Sequence, residues 1–235
     1  EADQPRLGEV VADQLQPPVI VLGDSYLSDN RASTPPFDLD EVVVNRGKLV
    51  TEGEVADYLR YRVTHDGISE RALPGVRGAE QVVNSYEHDE FGYGAQGEDA
   101  DTRIAQNEKR MRKYDLAREI CPKPQYFGPD DAELSIVLFG STKMPVREAM
   151  SWLEADGIAV NVMQVVTVWP FPADEVTQFL RAAKRSAIIE GNYAGQLQSL
   201  VRQECLIDVD HALHRYDGRP FSPEQVYAFV KEVLS

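Results

Sequence analysis

A chain of 235 residues, 43% hydrophobic and 27% charged, is long enough to bury a sizeable core as one large α/β domain or two ordinary ones, and its composition excludes wholesale disorder. Its 24 Lys and Arg against 39 Asp and Glu give a net charge of −15, which repels phosphate backbones and anionic lipid, so neither nucleic acid nor a membrane is an expected partner. The longest apolar runs, such as residues 136–139, fall far short of the ~20 residues of a membrane-spanning helix.

The first residues, Glu-Ala-Asp-Gln-Pro, have neither the basic start nor the apolar stretch of a signal peptide. The cysteines are Cys121 and Cys205, with no C-x-x-C pair, so a reducing, cytoplasmic setting is expected. Leu7, Val10, Val11 and Leu15 fall at helical spacing, Pro17-Pro18 breaks the pattern, and the apolar run 19–22 predicts a buried strand. Gly23-Asp24 closes that strand, and 28–40, crowded with Pro, Ser, Asp and Asn, reads as a long loop. A parallel arrangement opening on one helix and one strand leaves that strand without a neighbour on its N-terminal side. The chain is therefore expected to be a cut portion whose missing part lies upstream or on another chain.

Residues 46–97 are rich in Gly, charge and turn residues and read as an extended connecting region. A helix is expected over 101–120, with Ile104, Met111, Leu116 and Ile120 among many charges, ended by Cys121-Pro122-Lys123-Pro124. From Glu133 onward strands and helices alternate: strand 134–139, helix 146–156 stopped by Gly157, strand region 158–168 closed by Trp-Pro-Phe-Pro, helix 173–185, strand 187–189, helix 196–205 and a last helix 223–234. Ser222, Pro223 and Gln225 form a capping box with proline at the first helical position. This order predicts right-handed crossovers and a mostly parallel sheet with helices on both faces.

In such sheets ligands gather at the carboxyl ends of strands, here Gly140-Ser141-Thr142 and Glu190-Gly191-Asn192. The first is suited to an anion at a helix N-terminus, although short strand-to-helix turns favour these residues without any ligand. Residues 92–97 match G-x-G-x-x-G, but the carboxylates on both sides and the lack of a preceding apolar strand argue against dinucleotide binding, and a loop is expected. Glu87, His88, Asp89 and Glu90 form the densest set of possible metal or proton-transfer groups. Consecutive side chains diverge, so pairing with arginines of a neighbouring segment or subunit is the expected role. His65, His211 and His214 lack zinc-ligand spacing and read as surface or packing residues. Arg219, in the turn 216–221, is in reach of an anion, with an Arg-carboxylate pair as the simpler expectation. No P-loop, G-x-S-x-G or H-E-x-x-H motif is present.

Taken in order, the segments P-V-I-V-L-G-D-S-Y-L (18–27), R-G-K (46–48), Y-R-V-T-H-D-G-I-S-E-R-A-L-P-G (61–75), E-H-D-E-F-G (87–92), K-R-M-R-K (109–113), G-S-T (140–142), W-P-F-P (169–172), E-G-N-Y-A-G-Q-L (190–197) and Y-D-G-R-P-F (216–221) resemble the C-terminal part of the α subunit of 2-oxoacid:ferredoxin oxidoreductases, the 2-oxoglutarate (KorA-like) branch in particular. The resemblance implies that 1–45 is the tail of a thiamine-pyrimidine-binding α/β domain, 46–129 a connecting region, and 130–235 a domain similar to the transketolase C-terminal domain. It implies oxidative decarboxylation of a 2-oxoacid on thiamine diphosphate and Mg, electron transfer through a 4Fe-4S cluster to ferredoxin, and delivery of the acyl group to coenzyme A.

The family's substrate loop, its glycine-rich T-S-G-P-G segment and the glutamate that activates the aminopyrimidine do not occur in these residues, and neither do the cluster cysteines. The chain alone is therefore expected to bind none of these cofactors tightly and to turn over no substrate. Its implied partners are a β subunit bearing thiamine diphosphate and an iron-sulfur cluster, and the missing N-terminal part of the α subunit. Ferredoxin and coenzyme A engage the whole complex; since ferredoxins are acidic too, docking is expected on another subunit. Asp24 and the 87–90 group are expected near the subunit junction facing the cofactor, and Gly140 to Thr142 with Asn192 in the crevice of the second domain. The alternative is a noncatalytic α/β interaction module of the same architecture.

Overall fold

The computed structural model describes residues 11–31, 33, 35, 36, 38, 44–53, 55–94 and 99–235. In chain order its elements are α1 (Ser25–Asp29), β1 (Leu49–Val50), β2 (Arg71–Ala72), α2 (Ala100–Ile120), β3 (Gln125–Phe127), β4 (Leu134–Phe139), α3 (Lys143–Ala155), β5 (Val160–Val165), α4 (Ala173–Ala182), β6 (Ser186–Glu190), α5 (Gln196–Cys205), β7 (His211–His214) and α6 (Pro223–Leu234), with residues 11–15 also helical. Two compact units form: Glu1–Val21 with Pro35–Cys121, and Leu22–Thr34 with Pro122–Ser235. The second begins some residues before the boundary expected at 130 and includes 22–34, which the sequence reading grouped with 1–45. Among the described residues no helix is long and apolar enough to cross a membrane.

The second unit is built on a five-stranded sheet of order β3-β5-β4-β6-β7, parallel except for β3. Its centre is β4, whose first five residues are buried, the continuous apolar texture of a strand covered on both faces. Alternation sorts its side chains. Leu134, Ile136 and Leu138 pack with Val146, Ala149 and Leu153 of α3 and Val226 and Val230 of α6. Val137 joins Val176 and Leu180 of α4 and Leu197, Val201 and Cys205 of α5 on the other face. Helices therefore cover both faces, as the strand-helix alternation predicts. The capping box of α6 is present, with Ser222 accepting from the Gln225 amide and Pro223 opening the helix.

Several boundaries differ from the sequence reading for local reasons. The helix expected from Val146 begins at Lys143, because Pro145 sits in its first turn, where no backbone donor is needed. β3 and β7 are edge strands of three and four residues with incomplete burial, too short for a period-2 pattern to emerge. The strand expected over 19–22 is not formed. These residues have no regular secondary structure and are exposed, Ile20 and Val21 at 80% each, and without a paired neighbour among the described residues an apolar run gains neither ladder hydrogen bonds nor burial. The loop expected from Ser28 contains the end of α1, whose N-cap is Asp24.

In the first unit β1 and β2 form a two-stranded parallel ladder, beside two small apolar clusters: Val11, Leu15, Ile68 and Ala117, and Tyr58, Ala72, Val76 and Ala79. α2 is mostly polar, and the residues it buries are Gln106, Lys109 and Ala117. It holds the loop over residues 61–67 through side chains. Gln106 Nε2 and Lys109 Nζ donate to the Tyr61 carbonyl at 2.9 and 3.1 Å, and Arg112 donates to the Thr64 carbonyl. Gly67, at φ +77°, lies so close that an added Cβ would sit 2.3 Å from the Lys109 carbonyl oxygen, so this crossing requires glycine.

Candidate functional site

The carboxyl ends of the parallel strands are where the sheet can present chemistry. β4 pairs with β5 on one side and β6 on the other, α3 packs on one face and α5 on the opposite one. The chain thus reverses its direction of travel between β4 and β6, the switch point at which such sheets open a crevice. Its two lips are the turns that the sequence singled out.

At the first lip Gly140, at φ +61°, and the one-turn 3-10 segment Gly140–Thr142 lead into α3. Ser141 Oγ donates to Asp24 Oδ2, while the other oxygen of that carboxylate accepts from the Leu27 amide at 2.9 Å to cap α1. Asp24 and Ser141, expected at different places, therefore meet. The anion at the start of α3 is here the Asp24 carboxylate itself, which stands on the Ser141 hydroxyl, and a second anion there meets like charge. Thr142 makes no capping bond.

At the second lip Glu190, the last residue of β6, is fully buried. Oε2 accepts from the Leu197 amide at 2.8 Å and from Asn192 Nδ2 at 2.6 Å, and Oε1 accepts from the Gln198 amide at 3.1 Å. Asn192 Oδ1 in turn accepts from the Gln196 amide. The residue at the N-cap position of α5 is Gly195, at φ +64°, with no side chain to cap. A buried glutamate from the preceding strand and an asparagine from the turn supply the missing acceptors, with the helix dipole favouring the charge. His214, at the end of β7, approaches Glu190 Oε1 at 3.6 Å, too long for a hydrogen bond, and its Nε2 is buried with no hydrogen-bond partner. A Cβ on Gly195 would stand 3.1 Å from the imidazole, so this glycine answers both to its φ and to its neighbour.

Glu190 with both oxygens engaged is an organiser of the crevice rather than a free base. The sequence placed Glu190 and Asn192 together at this strand end and took Asn192 alone as a crevice residue; it read His214 as a surface or packing residue. A signal for Glu190 exists: Ala194-Gly195 before an amphipathic helix offers no Ser, Thr, Asp or Asn cap, so the acceptor has to come from elsewhere.

Contrary to expectation, among the described residues Arg219 forms no ion pair within 4 Å, although its charge, with that of Arg215, acts on Asp217. The Arg219 backbone amide donates to Asp217 Oδ1, and the pairing guanidinium is that of Arg215, at 2.8 and 3.0 Å from the two carboxylate oxygens. The guanidinium beside it holds the Asp217 carboxyl down at about 2. Arg215 also donates to Gln225 Oε1, tying this turn to the α6 cap. Exposed Tyr193 and Tyr216 meet edge to face at 4.9 Å nearby.

The 87–90 group lies in the other unit, and its side chains part. Glu87 takes both terminal nitrogens of Arg110 at 2.9 Å, and that guanidinium holds its carboxyl below the usual range. His88 is buried and stacks on Tyr61 with ring centroids 4.1 Å apart. Asp89 accepts from the Tyr93 amide, and Glu90 faces the Val63 amide at 3.5 Å. Pairing with an arginine, expected of this group, is what Glu87 does, and among the described residues no three His, Cys, Asp or Glu side chains gather to hold a metal. In the glycine match, Gly92 sits in a turn and Gly94 bridges His88; residues 95–97 lie outside the described residues.

Residues 132–226 match the family model described as pyruvate:ferredoxin oxidoreductase core domain II. Along 95% of its length the chain is 37% identical to the alpha subunit of 2-oxoacid:ferredoxin oxidoreductase 2 of Aeropyrum pernix, covering 35% of that protein. It is 23% identical over 92% of its length to 2-oxoglutarate synthase subunit KorA of Methanothermobacter thermautotrophicus, covering 56% of it. A solved 2-oxoglutarate:ferredoxin oxidoreductase from Magnetococcus marinus, with 2-oxoglutarate, coenzyme A and succinyl-CoA bound, superposes with a TM-score of 0.84 at 30% identity, over 96% of this chain and 39% of that one. The chain spans about a third of the length of the curated relatives that it matches first.

Proposed function

We propose a function from one premise, that this chain is related along nearly its whole length to the alpha subunits of 2-oxoacid:ferredoxin oxidoreductases. It is a portion of such a subunit, serving in a cytoplasmic heteromeric complex that decarboxylates a 2-oxoacid oxidatively, passes the electrons one at a time to ferredoxin and transfers the acyl group to coenzyme A. The observation that carries this reading is the superposition over 96% of the chain at a TM-score of 0.84. Residues 130–235 serve as the transketolase C-terminal-like domain, and 1–45 as the tail of the pyrimidine-binding domain.

Thiamine diphosphate, when bound in the assembled enzyme, supplies the carbanion chemistry of decarboxylation. The described residues do not fit it: Glu190, the buried carboxylate of the crevice, has its oxygens taken by two backbone amides and Asn192, and no described carboxylate cluster suits its Mg. An iron-sulfur cluster fits no better, since Cys121 and Cys205 fall short of four thiolates and burial raises the Cys205 thiol. These groups are assigned to the partner chains, and the role of this one is scaffold and interface. Exposed Trp169, Tyr193 and Tyr216, on the loops after β5, β6 and β7, suit contact with such partners.

The test is dye reduction by the native assembly beside the isolated chain. The assembly is expected to contain a cluster-bearing subunit and to reduce a viologen with a 2-oxoacid and coenzyme A, and the isolated chain to do nothing. Reduction by the isolated chain, or an assembly without a cluster-bearing subunit, overturns the reading.

A further inference from the structure

A hollow of about 290 Å³ opens in the first unit between α2 and the loop carrying Tyr61, lined among others by Arg60, His88, Lys109, Arg110 and Lys113. Four cations thus face one space in a chain of net charge −15. The carboxylate among the lining residues, Glu87, is spent on Arg110. Lys109 and Lys113 stand at i and i+4 on α2, a spacing at which like charges repel. Burial and the neighbouring Lys113, Arg60, Arg110 and Arg112 bring Lys109 down from 10.5 to about 8, and burial with Arg60 and Arg110 also lowers Lys113.

A second, independent observation comes from the floor. His88 is 4% exposed, held flat on Tyr61, and its Nε2 is buried with no hydrogen-bond partner. Buried polar atoms are normally satisfied, and an imidazole N–H beside crowded cations is the complement of an oxyanion. The guanidinium of Arg60 offers a planar fork and Lys113 a point charge, while Lys109 has one of its three donors committed to the Tyr61 carbonyl. Among the described residues Arg60, Lys109 and Lys113 form no carboxylate ion pair, and Asp66, whose charge acts on Lys113, is itself paired with Lys48 at 2.6 Å; three such cations match a dianion better than a single carboxylate.

We infer that the hollow formed by Arg60, His88, Lys109 and Lys113 is a binding site for a phosphate group, free or as the ester of a larger molecule. The site shares no residue with the strand-end crevice and does not depend on the proposed function.

The test titrates the 235-residue chain with inorganic phosphate at constant ionic strength, following heat and the His88 imidazole resonances, with adenosine monophosphate as a parallel arm. Saturable one-to-one binding that moves the His88 resonances is expected. Arg60→Gln and Lys113→Gln should each weaken it by about tenfold, a loss typical of a charge-assisted contact. His88→Phe keeps the stack on Tyr61 and removes Nε2, and should weaken it severalfold; Arg147→Gln, in the other unit, should leave it unchanged. Tighter binding of the nucleotide identifies an ester as the ligand, and equal or weaker binding identifies the free anion. Shifts that rise linearly without saturation, or Arg60 and Lys113 variants that fold and bind as well as the parent, overturn the site.

Discussion

Among the described residues, the side chains most completely removed from water, including Leu134, Ile136, Leu138, Ile188 and Ile189, come from the 122–235 unit and none from the unit of 1–21 and 35–121. There the buried apolar residues are fewer and shared between two small clusters, Val11, Leu15, Ile68 and Ala117 in one and Tyr58, Ala72, Val76 and Ala79 in the other, and they stand beside the buried polar Ser69, His88, Gln106 and Lys109. One unit is a sheet with apolar cover on both faces, of the kind that contributes ~1.5–3 kcal/mol for each large side chain buried. The other is a set of loops bound to a polar helix by Gln106, Lys109 and Arg112 donating to backbone carbonyls, contacts of ~1 kcal/mol each. The first is tied to packing and the second to protonation and ions, so the two should answer differently to mutation, pH and salt.

The largest effect expected is at the exception within the apolar unit. Glu190→Ala removes the acceptor for the Leu197 and Gln198 amides and for Asn192, leaving those two amides of α5 unsatisfied beside a void. A loss of about 3 kcal/mol is expected, comparable to Leu138→Ala in the core. Urea unfolding followed by circular dichroism measures it. A loss below about 1 kcal/mol would mean that the buried carboxylate is not what holds α5 to β6.

The next concerns the polar unit and has an unusual sign. Lys109 is lowered from 10.5 to about 8 in the folded chain. Below about pH 8 it is protonated folded or unfolded, and the penalty of crowding is constant. Between pH 8 and 10.5 the unfolded chain keeps a proton that the folded chain has released, so stability rises with pH. Hydrogen exchange or denaturant melts of this unit across that window should show the rise, and Lys109→Met should flatten it. A parent that is flat over the same window would sink this account of the cation cluster.

The same contrast governs what the sequence discloses. The β4 run, the α5 bounds and the Ser222–Gln225 capping box of α6 are legible because each is fixed by residues adjacent in the chain and by the two-sided burial of the sheet. The strand-end turns at 140–142 and 190–192 follow from that topology. What is not legible depends on encounters across long sequence separations. Ser141 meets Asp24 from 117 residues away, His88 stacks on Tyr61, and the Tyr61 carbonyl is held from 45 and 48 residues along. The run 19–22 misleads for the converse reason: its composition is that of a strand, but strand formation requires a neighbour that composition does not report.

The smallest effect is also the most sensitive to solution conditions. Glu87 and Arg110 form a two-pronged pair whose side chains are 20% and 48% exposed. The carboxyl is held below its ordinary value chiefly by that guanidinium. Its contribution is therefore complete above the ordinary glutamate range near pH 4.3 and lost as pH falls through the lower folded value. Glu87→Gln should cost about 0.2–1 kcal/mol at neutral pH and low salt, as partly exposed pairs do, and less in ~1 M salt, where the Debye length shrinks to ~3 Å. Native-state hydrogen exchange of the 99–120 amides with and without salt resolves a change of this size. The 122–235 amides should be indifferent to the same substitution; if they shift equally, the two units do not respond independently, and the contrast drawn from their buried residues fails.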